Sequence, residues 1–389
     1  MLEEFTVDNF KSLINVTFRP HEQNLLLGTN NAGKTNLCEA LRFLSGTTRL
    51  PLSECAEQTA GGAAGLPNWT LDKPTVDLIA KAAVSYENEP VSFEYRLTML
   101  CRSTTSGSVL DVQNELLYAT WGGRDRALLL DNSPRGVRLL NETEFAEGRT
   151  AYAETAAPRD TTMLNRLYET GTNPRANCFR KYITSWQYYD LSLEALRGSK
   201  HLADWTVLNT NGDNLGSVIY QLKMENEREY RNLLRCLREF DPSIDVINFG
   251  VPTKDKVFMA FQSRNRHRLP AGNASGGTLR YLALLYVLFG QPQGGMTSLR
   301  IIEEPENGIY VGCLKPLLQL AGEADPPQQL IFTSHSPYFI DLFDNRLDSI
   351  FVMKRGEYHS SIRQPDPELV TRRLEKFPLG EQHFREMLG

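Results

Sequence analysis

Apolar residues follow three regimes along this chain. Uninterrupted runs occur at Asn24-Leu25-Leu26-Leu27, Leu299-Arg300-Ile301-Ile302 and Gln329-Leu330-Ile331-Phe332-Thr333. Such runs predict strands buried on both faces. Between Thr75 and Thr120 the pattern becomes alternating, at Val76–Val84, Val91–Leu97 and Glu115–Tyr118, which predicts antiparallel strands. Spacing of three and four predicts helices: Leu37, Leu41 and Leu44; then Ile219, Leu222, Tyr230, Leu233, Leu234, Leu237 and Phe240; then Leu279, Leu282, Ala283, Tyr286 and Val287. The middle stripe reads as a helix packed into the body rather than a partner surface. Residues 50–73 are rich in Gly, Ala and Pro and predict a loop. Arg300, a charge inside an apolar run, predicts an edge location or a partner carboxylate. No heptad run is sustained and no internal repeat is evident.

The regimes divide the chain into three parts. Residues 1–160 give strand, loop and helix followed by an antiparallel lobe. Residues 161–240 turn helical, and 241–389 form a second lobe. Composition changes this picture little. A chain of 389 residues with 41% hydrophobic and 23% charged residues suits a globular core. The six cysteines are scattered without a Cys-x-x-Cys pair, so neither a zinc site nor a disulfide framework is indicated. Met1-Leu2-Glu3-Glu4 does not open a signal peptide, and no apolar run approaches the ~20 residues of a membrane span. A cytoplasmic location without membrane association is expected. The net charge of −5 argues against indiscriminate nucleic-acid binding.

Candidate chemistry begins at Gly28-Thr29-Asn30-Asn31-Ala32-Gly33-Lys34-Thr35, which fits the phosphate-loop pattern G-x-x-x-x-G-K-[ST] between a strand and a helix. Glycines let the backbone curl so that N–H groups point at phosphate, and the helix adds its N-terminal partial charge. Lys34 is expected to reach the β- and γ-phosphates and Thr35 to ligate Mg²⁺. Asn30, Asn31, Ala32 and Asn36 complete the loop.

Glu303 and Glu304 end the second apolar run, and Pro305 stops it. One acid at such a strand end can hold Mg²⁺ and the next can accept a proton from attacking water. His335 ends the third run and is followed by Ser336-Pro337, which places it on the same sheet edge. Ser275-Gly276-Gly277 runs straight into an apolar helix whose N-terminus can face phosphate.

Taken in order, Asn9-Phe10-Lys11-Ser12-Leu13, the phosphate loop, Ala274-Ser275-Gly276-Gly277-Thr278, Glu303-Glu304-Pro305-Glu306-Asn307-Gly308 and Thr333-Ser334-His335-Ser336-Pro337 resemble the RecF/SMC/OLD branch of ABC-type ATPases. Within it, the chain is most similar to stand-alone ATPases related to the OLD-family head. Ser185–Leu191 and Asn211–Leu215 resemble connecting segments of those proteins. The resemblance implies an α/β ABC head: a phosphate-loop core sheet of mixed or parallel strands, an antiparallel β lobe and a helical insertion. It also implies ATP and Mg²⁺ as cofactors. By this resemblance Thr35 and Glu303 hold the metal, Glu304 is the catalytic base and His335 senses the γ-phosphate. Ser275, Gly276 and Gly277 would contact ATP bound to a second copy of the chain. Glu303 stands where many ABC proteins have aspartate, Ala274 stands where leucine often precedes the signature serine, and no residue is assigned to the Q-loop.

Residues 336–389 are too short for the Toprim nuclease domain that OLD-type proteins carry. The expectation is an ATP-driven switch that dimerises and controls a separately encoded effector, a nuclease or toxin, in anti-phage defence. One alternative is a RecF-like repair ATPase that binds nucleic acid directly, motivated by Arg264-Asn265-Arg266-His267-Arg268 and by Arg231, Arg235 and Arg238. Another is a non-hydrolysing scaffold held together by ATP. A transporter subunit is disfavoured by the Phe-Lys-Ser start and the long gap between Lys34 and Ser275.

Overall fold

The computed structural model describes residues 1–105, 107–167, 171–198, 207–253, 256–289, 299–322, 328–385 and 387–388. Its centre is a six-stranded sheet in the order Gln187–Tyr189, Leu299–Glu303, Gln329–Thr333, Gln23–Leu27, Ile350–Arg355, Ser360–Arg363. The first five strands are parallel and the last is antiparallel. All three uninterrupted apolar runs lie in it. Alternate residues of these runs enter different cores, as the two-residue period of a strand requires. Leu26, Ile301, Ile331 and Phe351 pack on one face, and Leu25, Leu27, Ile302, Leu330, Phe332 and Val352 on the other.

The register fixes the site. Glu303 pairs with Thr333, Thr333 with Leu26, and Leu27 with Val352, so the three central strands end at one edge. The chain leaves that edge at Gly28, Glu304 and Ser334. From Gly28 it curls into the helix Lys34–Gly46, which buries Leu37, Cys38, Leu41 and Leu44 in the first core.

Above that helix lies an eight-stranded antiparallel sheet. Its order is Val16–Phe18, Leu2–Asp8, Thr75–Tyr86, Glu89–Thr104, Gly107–Thr120, Ala127–Ser133, Gly136–Leu140, Tyr152–Thr155. The alternation read from Val76 to Val84 holds, with Val76, Leu78, Ala80, Ala82 and Val84 turned inward. A three-stranded sheet (Ile244–Thr253, Lys256–Ser263, Arg268–Pro270) leads through a short turn into the helix Gly276–Phe289.

Several local expectations need correction. Residues 52–60, read as loop, form a helix that buries Leu52, Cys55, Ala56 and Thr59 and stops at Gly61. The 3–4 spacing of those four residues outweighs the Gly- and Ala-rich composition around them. The stripe from Ile219 to Phe240 belongs to two helices, Leu215–Glu225 and Glu227–Phe240, because Asn226 caps the second by accepting from the Glu229 N–H at 3.3 Å. Their apolar faces are packed into the second core. The mostly helical stretch 161–240 also supplies the core strand Gln187–Tyr189. Arg300 is not at an edge: its strand lies between two others and the residue is 2% exposed. Its guanidinium donates to the Val287 carbonyl and to the Gln328 side-chain oxygen, both neutral.

Candidate nucleotide site

Residues 30–36, Glu303, Glu304, Thr333 and His335 line one cavity of about 320 Å³ at the C-terminal edge of the core sheet. Chain segments roughly 300 residues apart in sequence thus converge where open α/β sheets place ligands. Gly33, at φ 103, turns the loop into the helix. A β-carbon there would lie 2.5 Å from the Ser360 hydroxyl oxygen, so both conformation and space call for glycine.

Lys34 is almost fully buried. Its ammonium donates to the Gly28 carbonyl at 2.7 Å, the Thr29 carbonyl at 3.2 Å and His335 Nε2 at 2.9 Å. Burial lowers the Lys34 pKa, while Glu304 and Glu303 oppose that shift. The Lys34–His335 bond requires Nε2 to be an acceptor, so His335 is the neutral imidazole. Burial and then the Lys34 charge lower the His335 pKa in agreement.

Glu303 carries the strongest carboxylate perturbation at the site. Burial, followed by the nearby Asp190, Glu39 and Glu304 charges, pushes its pKa to about 7 against the pull of the Tyr188 hydroxyl. Its Oε1 is buried without a hydrogen-bond partner. A buried carboxylate oxygen in this state is a ready ligand for a cation. Glu304 follows in the left-handed region at φ 42, a costly conformation for a glutamate. Its backbone N–H donates to the Thr333 carbonyl at 3.1 Å, which fixes the carboxylate at the cavity wall.

The Asn-Phe-Lys-Ser segment ahead of the loop is structural here. Asn36 donates to the Ser12 hydroxyl at 2.7 Å, Ser12 is 2.8 Å from the Ser360 hydroxyl, and Lys11 is paired with Glu39 at 2.5 Å. These contacts anchor the first turns of the phosphate-loop helix from outside. The residues present therefore fit a magnesium nucleotide. The loop and helix N-terminus open onto the cavity, Lys34 supplies a cation, and Thr35 and Glu303 both line it with side-chain oxygens.

Sequence reasoning missed several neighbours. Glu306 accepts from the Ser334 hydroxyl at 2.5 Å and from the His335 and Ser336 backbone N–H groups at 3.3 Å, so a third carboxylate fixes the histidine turn. The strand ending in Tyr189 places Asp190 beside Glu303, where no residue had been assigned. Burial first, and then the proximity of His335 and the Lys34 charge, lower the His383 pKa to about 4. His383 sits on the helix Leu379–Phe384, which packs against Pro337–Ile340 with Gly380 N–H on Asp341 at 2.7 Å. Glu306 lay inside the Glu303–Gly308 motif, and Asp190 inside the connecting segment Ser185–Leu191, but neither was given a role there. Asp190 comes beside Glu303 through register, and His383 comes from chain distant in sequence.

Ser275, Gly276 and Gly277 do not line this cavity. Ser275 is exposed just before the helix Gly276–Phe289. A β-carbon on Gly277 would lie 2.9 Å from the Gly308 carbonyl, so the start of this helix abuts the turn that follows Glu304. Among the basic clusters, Arg231, Arg235 and Arg238 are paired with Glu227, Glu239 and Asp245 at 2.6, 2.9 and 3.4 Å. Arg264, Arg266, His267 and Arg268 lie exposed at a hairpin. Among the described residues, no helix is long and apolar enough to cross a membrane.

Comparison with known proteins bears on this geometry. Residues 169–341 match the family described as "AAA domain, putative AbiEii toxin, Type IV TA system". The matched span holds Ser275–Gly277, Glu303, Glu304 and His335 but not the phosphate loop. No curated protein sequence matches the chain. Among solved structures, the SMC head bound to the C-winged helix domain of ScpA aligns with a TM-score of 0.53 at 13% identity, over 94% of this chain and 98% of that one. An SMC head with a coiled coil and joint from Pyrococcus yayanosii gives 0.49 at 11% identity, over 97% of this chain and 99% of that one. The SMC head domain from Thermotoga maritima gives 0.43 at 12% identity, over 94% and 99%. The first of these shows the fold, an α/β head of the ABC type, as the sequence had implied. Together with the family match it supports an ABC- or SMC-like ATPase domain.

Proposed function

We propose that the chain is an ATPase head that closes on ATP as a homodimer and reopens on hydrolysis, so acting as a switch for a separate effector. The observation that carries this reading is the single cavity shared by the phosphate loop, Glu303, Glu304 and His335. Bound magnesium ATP supplies the phosphoryl group and the charge that offsets it. Lys34 would exchange its loop carbonyls for phosphate oxygens, and Thr35 and Glu303 would hold the metal. Glu304, held at a fixed backbone angle, takes the proton from water. His335, released from Lys34, turns to the terminal phosphate. Ser275, Gly276 and Gly277 reach the nucleotide of the second copy, which is consistent with their place away from their own loop. The matched family's description names a putative AbiEii toxin and a type IV toxin–antitoxin system, which favours a toxin setting. A separate nuclease or toxin effector in anti-phage defence rests on the resemblance of the motifs alone.

Light scattering with ATP and Mg²⁺ tests this. The wild type is expected to gain mass reversibly, and Glu304→Gln to stay in the heavier form with turnover reduced by ~10²–10⁴-fold. Mass and turnover both indifferent to Glu304→Gln would remove the reading. Direct nucleic-acid binding in the manner of RecF is a second reading, favoured only by the exposed Arg264–Arg268 hairpin. It requires ATP-dependent binding of duplex DNA that weakens steeply with salt and is lost on charge removal in that hairpin.

A further inference from the structure

A cavity of about 770 Å³ lies by the C-terminal part of the helix Lys34–Gly46, whose first residues line Lys34's pocket. Its walls are the last turns of that helix, the end of Pro174–Thr184, the strand Gln187–Tyr189 and residues 207–210. Four cations line it, Arg42, Arg49, Arg180 and Lys181, and no described lining residue is acidic. Arg42, Arg49 and Arg180 are in no ion pair among the described residues, in contrast to the helix arginines noted above. The Nε of Arg180 is buried without a hydrogen-bond partner. Arg42 instead lies over the Tyr188 ring at 5.1 Å. Between these groups the walls are apolar, from Leu41, Trp186, Leu208 and Ile301.

Unpaired arginines in a concavity are an unusual arrangement. Arg42 and Arg180 are half-buried, a state in which guanidinium groups are ordinarily matched by carboxylates, while Arg49 is exposed. Their planar forks fit phosphate oxygens in pairs. The volume falls within the roughly 300–1,000 Å³ of small-molecule sites. We propose that this cavity is a second anion site, for an organic phosphate of about nucleotide size, with its phosphate on Arg42, Arg49 and Arg180 and its organic part on the apolar wall. The proposal does not rest on the reading of the phosphate loop. It places a ligand where the first site can sense it. Tyr188 carries Arg42 on its ring and its hydroxyl acts on Glu303, so drawing Arg42 to a phosphate changes the wall of the metal carboxylate.

Intrinsic tryptophan fluorescence of the full chain, titrated with pyrophosphate, AMP and adenosine, tests the inference. AMP and pyrophosphate should both change the emission, with adenosine at least tenfold weaker. Trp186→Phe should remove the signal. Arg180→Gln and Arg49→Gln should each weaken AMP at least tenfold without lowering the melting temperature, and Lys34→Ala should leave AMP binding unchanged. No response to either phosphate would overturn the proposal. So would a response abolished by Lys34→Ala but kept in both arginine variants, which would assign it to the phosphate loop. Displacement of AMP by a tetraglutamate peptide that binds more tightly would assign the cavity to an acidic segment of a partner protein instead, and would also overturn it.

Discussion

Lys34 donates to His335 across 2.9 Å and so joins the phosphate loop to the end of a strand 301 residues later. The bond holds His335 neutral, and its pKa is lowered by burial and by the lysine charge. A histidine with a lowered pKa contributes stability that is present above its ordinary value of 6.5 and lost as pH falls. Nitrogen NMR of the nucleotide-free protein at pH 7 is expected to show the tautomer protonated on Nδ1, titrating below 6.5. In the proposed switch ATP would replace Lys34 as the partner and add negative charge, so it should raise that pKa. A doubly protonated ring at pH 7 without nucleotide would contradict the arrangement.

Much of this site was legible because its motifs are local. The phosphate loop is eight consecutive residues, and Glu303, Glu304 and His335 each end an apolar run, so sheet topology alone brings them together. What escaped was set by register or by distant chain. The strand Gln187–Tyr189 has three residues and no clear period, yet it places Tyr188 and Asp190 against Glu303. His383 reaches the site through helix packing near the C-terminus. The strands Ala127–Ser133, Gly136–Leu140 and Tyr152–Thr155 are short and partly polar, and they extend the antiparallel lobe beyond the alternation that predicted it.

In the proposed site Glu303 is a metal ligand, and its pKa of about 7 would make metal binding a titration. A cation needs the ionised carboxylate, so binding releases a proton near neutrality. The affinity of the magnesium nucleotide should rise with pH, approaching about tenfold per unit below 7, and level off above it. Calorimetry in buffers of different ionisation enthalpy should detect that proton at pH 7, and Glu303→Gln should abolish it. For the metal-free fold the sign is opposite to that of His335: a raised carboxylate pKa removes stability as pH climbs from 4.5 to about 7.

Glu115 is a buried carboxylate with a structural duty. It accepts from Tyr95 at 2.9 Å, Asn132 at 3.0 Å and the Met163 and Leu164 N–H groups at 2.6 and 2.8 Å, which ties the antiparallel lobe to the short helix Met163–Arg166. Glu115→Ala leaves these donors without an acceptor and should cost about 3 kcal/mol or more. Denaturant unfolding should show that loss, while ATP turnover per folded molecule stays the same. A variant as stable as the wild type would mean that the lobe does not depend on this junction.

Ser275 is the position at which nucleotide binding and the proposed dimer closure can be tested separately. It is exposed at the start of the helix Gly276–Phe289, away from its own phosphate loop, and Gly277 leaves no room beside the Gly308 carbonyl. Ser275→Arg adds bulk only at that exposed end, so the monomer should bind ATP with unchanged affinity and fail to gain mass with ATP and Mg²⁺. Turnover should fall with dimerisation, because in the proposed assembly each nucleotide is completed by the second copy. Combining Ser275→Arg with Glu304→Gln sharpens the point. If the switch works through closure, the double variant stays light even though hydrolysis is blocked. A double variant that still reaches the heavier form would show that the mass gain uses another surface, and the helix start would then be a simple cap.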